Sequence, residues 1–173
     1  MVEKSLHAEG QEAVKSSLYQ AKQGLSKKHA PGVFAEFDMA RYNSSLSIGK
    51  DERLSRELLL DKLFKEGKSI SQSGFTLVYL RTELPVFYPA QAAFTVPKRH
   101  FKKASDRNTI KRHLREAYRH HKLPLYQKLV DNKHQLALML IYKGNAVPDH
   151  TTVESSVKEL LGKVIERLKP SQS

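Results

Sequence analysis

KRHFKKASDRNTIKRHLREAYRHHK, Lys98 to Lys122, is the stretch on which the reading of this chain turns. It holds ten basic residues (Lys98, Arg99, Lys102, Lys103, Arg107, Lys111, Arg112, Arg115, Arg119, Lys122) against two acidic ones, Asp106 and Glu116, and so supplies two thirds of the formal net charge of +12. From Ser105 onward the spacing predicts a helix: Ile110, Leu114, Ala117 and Tyr118 recur at intervals of three and four and form one apolar stripe. Arg107, Lys111, Arg115 and Arg119 recur every fourth residue, which puts four cations in a row at about 6 Å per step. Like charges at that spacing repel by a few tenths of a kcal/mol per pair, and a solvated face usually mixes signs. A polyanion lying along the row would offset the repulsion, so the pattern points to nucleic acid or phosphate.

Outward from this helix the chain reads as one domain. With 173 residues and 39% apolar content there is enough chain for one ordinary core and a tail. Upstream, Ser55 is the expected N-cap of a helix running to about Glu66 and stopped by Gly67, with Leu59 and Leu63, and Leu60 and Phe64, as two adjacent apolar rows. A short strand is expected around Lys68 to Ser71. FTLVYLR (Phe75 to Arg81) and QAAFTV (Gln91 to Val96, halted by Pro97) are expected to be strands forming an antiparallel pair through a long connection. Downstream, Pro124 and a polar interval follow the basic helix. The unbroken apolar run HQLALMLIY (His134 to Tyr142) then reads as a central strand covered on both faces. Thr151 or Thr152 is the expected cap of a last amphipathic helix whose apolar side runs from Val153 to Leu168. The expectation is an α+β fold in which helices and a mixed sheet form two layers. The domain spans 46–169, preceded by a weakly ordered extension over 1–45 and followed by a frayed tail at 170–173. Within the extension, a helix over Glu9 to Leu25 and an arm bearing Phe34, Phe37 and Tyr42 are the features to test.

Composition narrows the function classes. An isoelectric point near 9.8 favours a polyanionic partner. No apolar run reaches the ~18 residues of a membrane span, and the N-terminal MVEKSLHAEGQEAV lacks the apolar core of a signal peptide, so no membrane role and a cytoplasmic site are expected. The absence of cysteine excludes disulfides and thiolate chemistry. Asp106 suits the first turn of a helix and Glu116 can pair with Arg112 or His120, so neither reads as a metal ligand. His113, His120 and His121 lack partners at zinc spacing, and no nucleotide-binding or hydrolase motif is present. The residues describe a binding module with no catalytic or metal site of its own.

The run Phe94-Thr95-Val96-Pro97-Lys98-Arg99, followed by Lys103-Ala104 and RNTIKRHLREAYR (Arg107 to Arg119), resembles the signature of the protein subunit of bacterial ribonuclease P. FKEG (Phe64 to Gly67) and FTLVYL fit the same family in the same order, and the resemblance covers about residues 48 to 168. It implies an α-β-β-β-α-β-α order with a left-handed βαβ crossover through the basic helix, an exception to the right-handed rule, resembling a ribosomal-protein domain. It implies a monomeric protein acting in removal of the 5′ leader from precursor tRNA, with catalysis and Mg2+ belonging to the RNA subunit. By position, Lys98, Arg99, Lys102, Lys103, Asn108 and Arg112 match residues facing that RNA. Leu60, Phe64, Val78, Arg107, Lys111 and Arg115 match a cleft for the leader. Three departures stand out: Thr109 where many members are basic, Leu60 where Phe is common, and Val78 where Tyr is common. They predict weaker base stacking and a larger electrostatic share of leader affinity. The alternative is a ribosomal or other structured-RNA-binding protein without a part in cleavage. A DNA-binding reading lacks the partner helix of a helix-turn-helix.

Overall fold

The computed structural model describes residues 47–86 and 88–168, so the features expected in 1–45 and 170–173 lie outside the described residues. Seven elements follow one another: α1 (Glu57–Glu66), β1 (Lys68–Gln72), β2 (Phe75–Arg81), β3 (Ala90–Thr95), α2 (Ala104–Asp131), β4 (Leu136–Tyr142) and α3 (His150–Arg167). This is the expected α+β order. The four strands form one mixed sheet in the order β1-β2-β4-β3. β1 and β2 are antiparallel across a two-residue turn in which Ser73 and Gly74 both have positive φ, the geometry that matches hairpin twist.

The expected antiparallel pairing of β2 with β3 is corrected by the structure. β4 lies between them, antiparallel to β2 and parallel to β3. All seven residues of β4 are buried, so only a place with a neighbour on each side and cover on each face satisfies it. Alternation then splits the core in two. Ile70, Leu77, Ala92, Leu138 and Leu140 face α2 and α3, and pack with Ile110, Leu114, Leu125, Val157 and Leu161. This is the expected two-layer body. Val78, Ala137, Met139 and Ile141 face the opposite side, where α1 contributes Leu63 and the following loop contributes Leu84.

Helix boundaries differ from expectation where tertiary contacts intervene. α2 continues through Pro124 to Asp131. A proline inside a helix costs about 3 kcal/mol. Beyond it Leu125 and Leu129 are fully buried, at about 1.5–3 kcal/mol each, and Tyr126 is buried with them. Burial outweighs the break. The N-cap of α1 is Arg56, without a side-chain bond, in place of Ser55. Asp149, in place of Thr151 or Thr152, caps α3 by accepting from the Thr152 backbone N–H. Gly67 ends α1 with extended φ and ψ, and it is required for space: a Cβ there would collide with the Leu63 carbonyl and stand 2.8 Å from Val78 Cγ1.

Before α1, the segment 47–54 lies along the outer edge of β3. Ala92 N–H donates to Glu52 O (2.8 Å) and Leu54 N–H to Ala92 O (3.0 Å). From this edge α1 crosses the sheet and ends at Gly67, where β1 begins on the far side.

Candidate nucleic-acid interface

The sheet face under α1 is ordered in rows by strand register. Ser71, Thr76, Ile141 and Thr95 form one row; Ser69, Val78, Met139 and Ala93 form the next. On α1, Lys62 reaches Thr82 Oγ1 (3.5 Å), just past the end of β2. At about 100° per residue, Leu59 shares that flank, whereas Leu60 and Phe64 take the opposite one. They therefore look toward the end of the sheet where β3 and β4 finish. Phe64 is 61% exposed, an uncommon state for phenylalanine, and Leu60 is half-buried beside it. Val78 does not join them on the surface, because it is buried under the C-terminal end of α1.

The loop 96–103 and the first turn of α2 start from this same end of the sheet. Lys98, Arg99, Lys102 and Lys103 are exposed, as are Asn108, Arg112 and Arg115, and Lys111 is half-buried. Arg107 folds back: its Nη1 donates to the carbonyls of Phe101 (2.8 Å) and Lys102 (2.7 Å), pinning the loop that carries the other cations. Lys111 and Arg115 share a flank of α2 with Lys122, which points to the β3 edge. Asn108 and Arg112 lie on the adjoining flank, their mean direction turned by about 60°.

Two members of the basic stretch do not serve as free cations. Lys122 is fully buried, its Nζ 2.6 Å from Glu52 Oε1 and 2.8 Å from the Ser47 carbonyl. Tyr126 also donates to Glu52 Oε1 (2.7 Å), and its hydroxyl lies 3.3 Å from that of Tyr118. Burial pushes both phenols far above their ordinary range, so both remain protonated. The signal in the sequence is the spacing: Lys122 falls four residues from both Tyr118 and Tyr126, within the apolar stripe. Arg119 is held 2.7 Å from Glu116, which corrects the expected pairing of Glu116 with Arg112 or His120.

The histidines of α2 turn toward α3. Glu154 stands 3.4 Å from His120, 3.3 Å from His121 and 3.7 Å from His150. The hydrogen bond from His120 is the main cause holding the Glu154 carboxyl below its ordinary range. His121 Nε2 is near enough for charge attraction but lacks hydrogen-bond geometry. No group of three or more His, Cys, Asp or Glu side chains arranged to hold a metal occurs among the described residues. Nor is any helix among them long and apolar enough to cross a membrane.

Comparison with known proteins agrees with this geometry. The pattern of the Ribonuclease P family matches residues 48–165. The ribonuclease P protein component of Porphyromonas gingivalis W83 is 30% identical over 118 residues, covering 68% of this chain and 85% of its own length. That of Chlorobaculum tepidum is 30% identical over 121 residues, covering 64% and 78%. In fold, the chain resembles the Staphylococcus aureus RNase P protein, with a TM-score of 0.52 at 18% identity over 65% of this chain and 94% of that one. A mutant of that protein gives 0.54 at 20% identity, over 71% and 95%. With the basic face of its signature helix exposed and the family match covering residues 48–165, this chain belongs to the family of ribonuclease P protein components.

Proposed function

We propose that this chain is the protein subunit of ribonuclease P, which binds the catalytic RNA subunit and the 5′ leader of precursor tRNA and so promotes removal of the leader. The observation that carries the reading is an exposed aromatic on α1, directed to the end of the sheet from which the cation-bearing loop 96–103 and α2 start. Lys98, Arg99, Lys102, Lys103, Asn108 and Arg112 form the surface for the RNA subunit. Cations and an amide on a rigid helix track phosphate and ribose oxygens without reading sequence. Lys111 and Arg115, with Leu60 and Phe64, form the leader cleft. An exposed phenyl ring stacks on any unpaired base, worth about 1–3 kcal/mol per base, which suits leaders of varied sequence. Arg107 serves the cleft by fixing the loop, and Val78 supports its floor from beneath. The phosphodiester hydrolysis is the work of the RNA subunit and its Mg2+ ions; the protein, acting as a monomer in the cytoplasm, supplies binding.

The test is reconstitution. Purified protein is added to the RNA subunit and precursor tRNA at low Mg2+, and 5′ leader release is followed. Accelerated release is expected. Binding to the RNA with unchanged cleavage would assign the chain to structured-RNA binding without a part in the reaction.

A further inference from the structure

The two walls of the proposed cleft sit on opposite faces of the sheet: α1 on one, α2 with α3 on the other. A cleft made of such parts needs something to fix their relative placement across the β3 edge. The Lys122 side chain leaves α2 toward that edge, and the segment that leads into α1 receives it. Glu52, five residues before the first residue of α1, accepts from Lys122 Nζ and Tyr126 Oη at Oε1, and from Gly49 N–H at Oε2 (2.7 Å). The same Lys122 ammonium holds the Ser47 carbonyl. The Glu52 carbonyl and the Leu54 N–H pair with Ala92, and Gln91 Nε2 donates to the Asp51 carbonyl (2.8 Å). The entry to α1 is thus nailed to β3 by its backbone and to α2 by a buried charge.

A buried ion pair is weak evidence for a stability role, since neutral groups of similar size often serve stability as well. In some proteins such a pair instead fixes one geometry among several that apolar contact alone would allow. We infer that Lys122 and Glu52 are positioning residues for leader recognition, holding Leu60 and Phe64 on α1 at a fixed offset from Lys111 and Arg115 on α2; this rests on the leader-cleft reading above. Lys111 and Arg115 lie on the same flank of α2 as Lys122, so a shift of the segment 47–54 against that flank carries α1 with it. The surface for the RNA subunit, on the loop 96–103 and the adjoining flank, does not depend on this connection.

The experiment uses the full chain assembled with the RNA subunit and compares wild type, Glu52→Gln, Lys122→Met, the double variant and Tyr126→Phe. Melting temperature, affinity for the RNA subunit, and the ratio of precursor to mature tRNA affinity are measured on each. Each single charge change lowers the melting temperature, and the double variant regains most of it because no lone charge remains buried. The double variant binds the RNA subunit within about twofold of wild type, yet its precursor preference falls by about 5- to 10-fold, because preorganisation of the cleft is lost. Tyr126→Phe, which keeps the ring and removes one donor to Glu52, moves the preference the same way by less. An unchanged preference in the double variant and Tyr126→Phe overturns the inference, as does a loss that merely parallels weaker binding to the RNA subunit. Should the double variant fail to fold, Tyr126→Phe decides. A wild-type assembly with no preference for precursor overturns the leader reading itself, whatever the variants do.

Discussion

Arg107 Nη1 is already engaged with two loop carbonyls, so its alanine variant removes a tether as well as a charge. Lys111→Ala is the cleaner probe of the cleft: it is expected to weaken binding of precursor tRNA while leaving mature tRNA nearly unchanged. Arg112→Ala is expected to weaken assembly with the RNA subunit by about 1–3 kcal/mol, the range of a charge-assisted contact. Arg107→Ala is expected to weaken both. Equal effects of all three on both measurements would refute the division of α2 into two surfaces. Asp149 gives a pH test. Its carboxyl is pulled down from 3.8 to about 2, chiefly by the hydrogen bond from Thr151 and then by Thr152. A depressed folded-state value means stability that is complete above pH 3.8 and lost as pH falls through about 2. Asp149→Ala is therefore expected to melt below wild type at pH 7, with the gap closing between pH 4 and 2. A gap constant across that range would show that the cap works through geometry alone.

At the scale of elements, α2 is the case where local chemistry and tertiary packing disagree. Pro124 lacks the N–H that would bond to the His120 carbonyl, and local rules end the helix before it. The turns beyond it hold Leu125, Tyr126 and Leu129, all fully buried. Because Pro124 itself is exposed, Pro124→Ala restores a hydrogen bond without disturbing the core. It is expected to raise stability by about 1–3 kcal/mol in chemical denaturation, and a loss would show that the proline sets a bend the core requires. The strands teach the same lesson. The seven residues Leu136–Tyr142 announce a strand covered on both faces, and it is one. Which strands flank it is absent from that pattern, since an apolar run is equally content beside β2 or β3. Pairing is a property of the whole set, in which β3 reaches its partner only after the 28-residue α2 has crossed over.

Across the molecule, the proposed cleft has, among the described residues, one exposed aromatic, Phe64, and a floor row of Thr76, Ile141 and Thr95 that carries no ring for stacking. Leader affinity is therefore expected to depend steeply on salt. Two phosphate contacts on a single strand, from Lys111 and Arg115, give a slope of about −1.4 in log K against log salt, and Lys111→Ala should lower its magnitude by about 0.7. A flat dependence would mean that stacking dominates after all. The sequence by itself determined the element types, the basic helix, the central strand and the family, because periodicity, β-branching and charge spacing act within a few residues and survive in the linear order. It also carried Lys98 through Arg115 as the candidate surface. Only the tertiary structure decided the strand order, the run of α2 past Pro124, the burial of Val78, and the conversion of Lys122 from surface cation to buried partner of Glu52. Each of those turns on what a residue meets from far along the chain, 70 positions in the case of Lys122 and Glu52. Local free energies of a few tenths of a kcal/mol give way there to burial terms of about 1.5–3 kcal/mol per side chain.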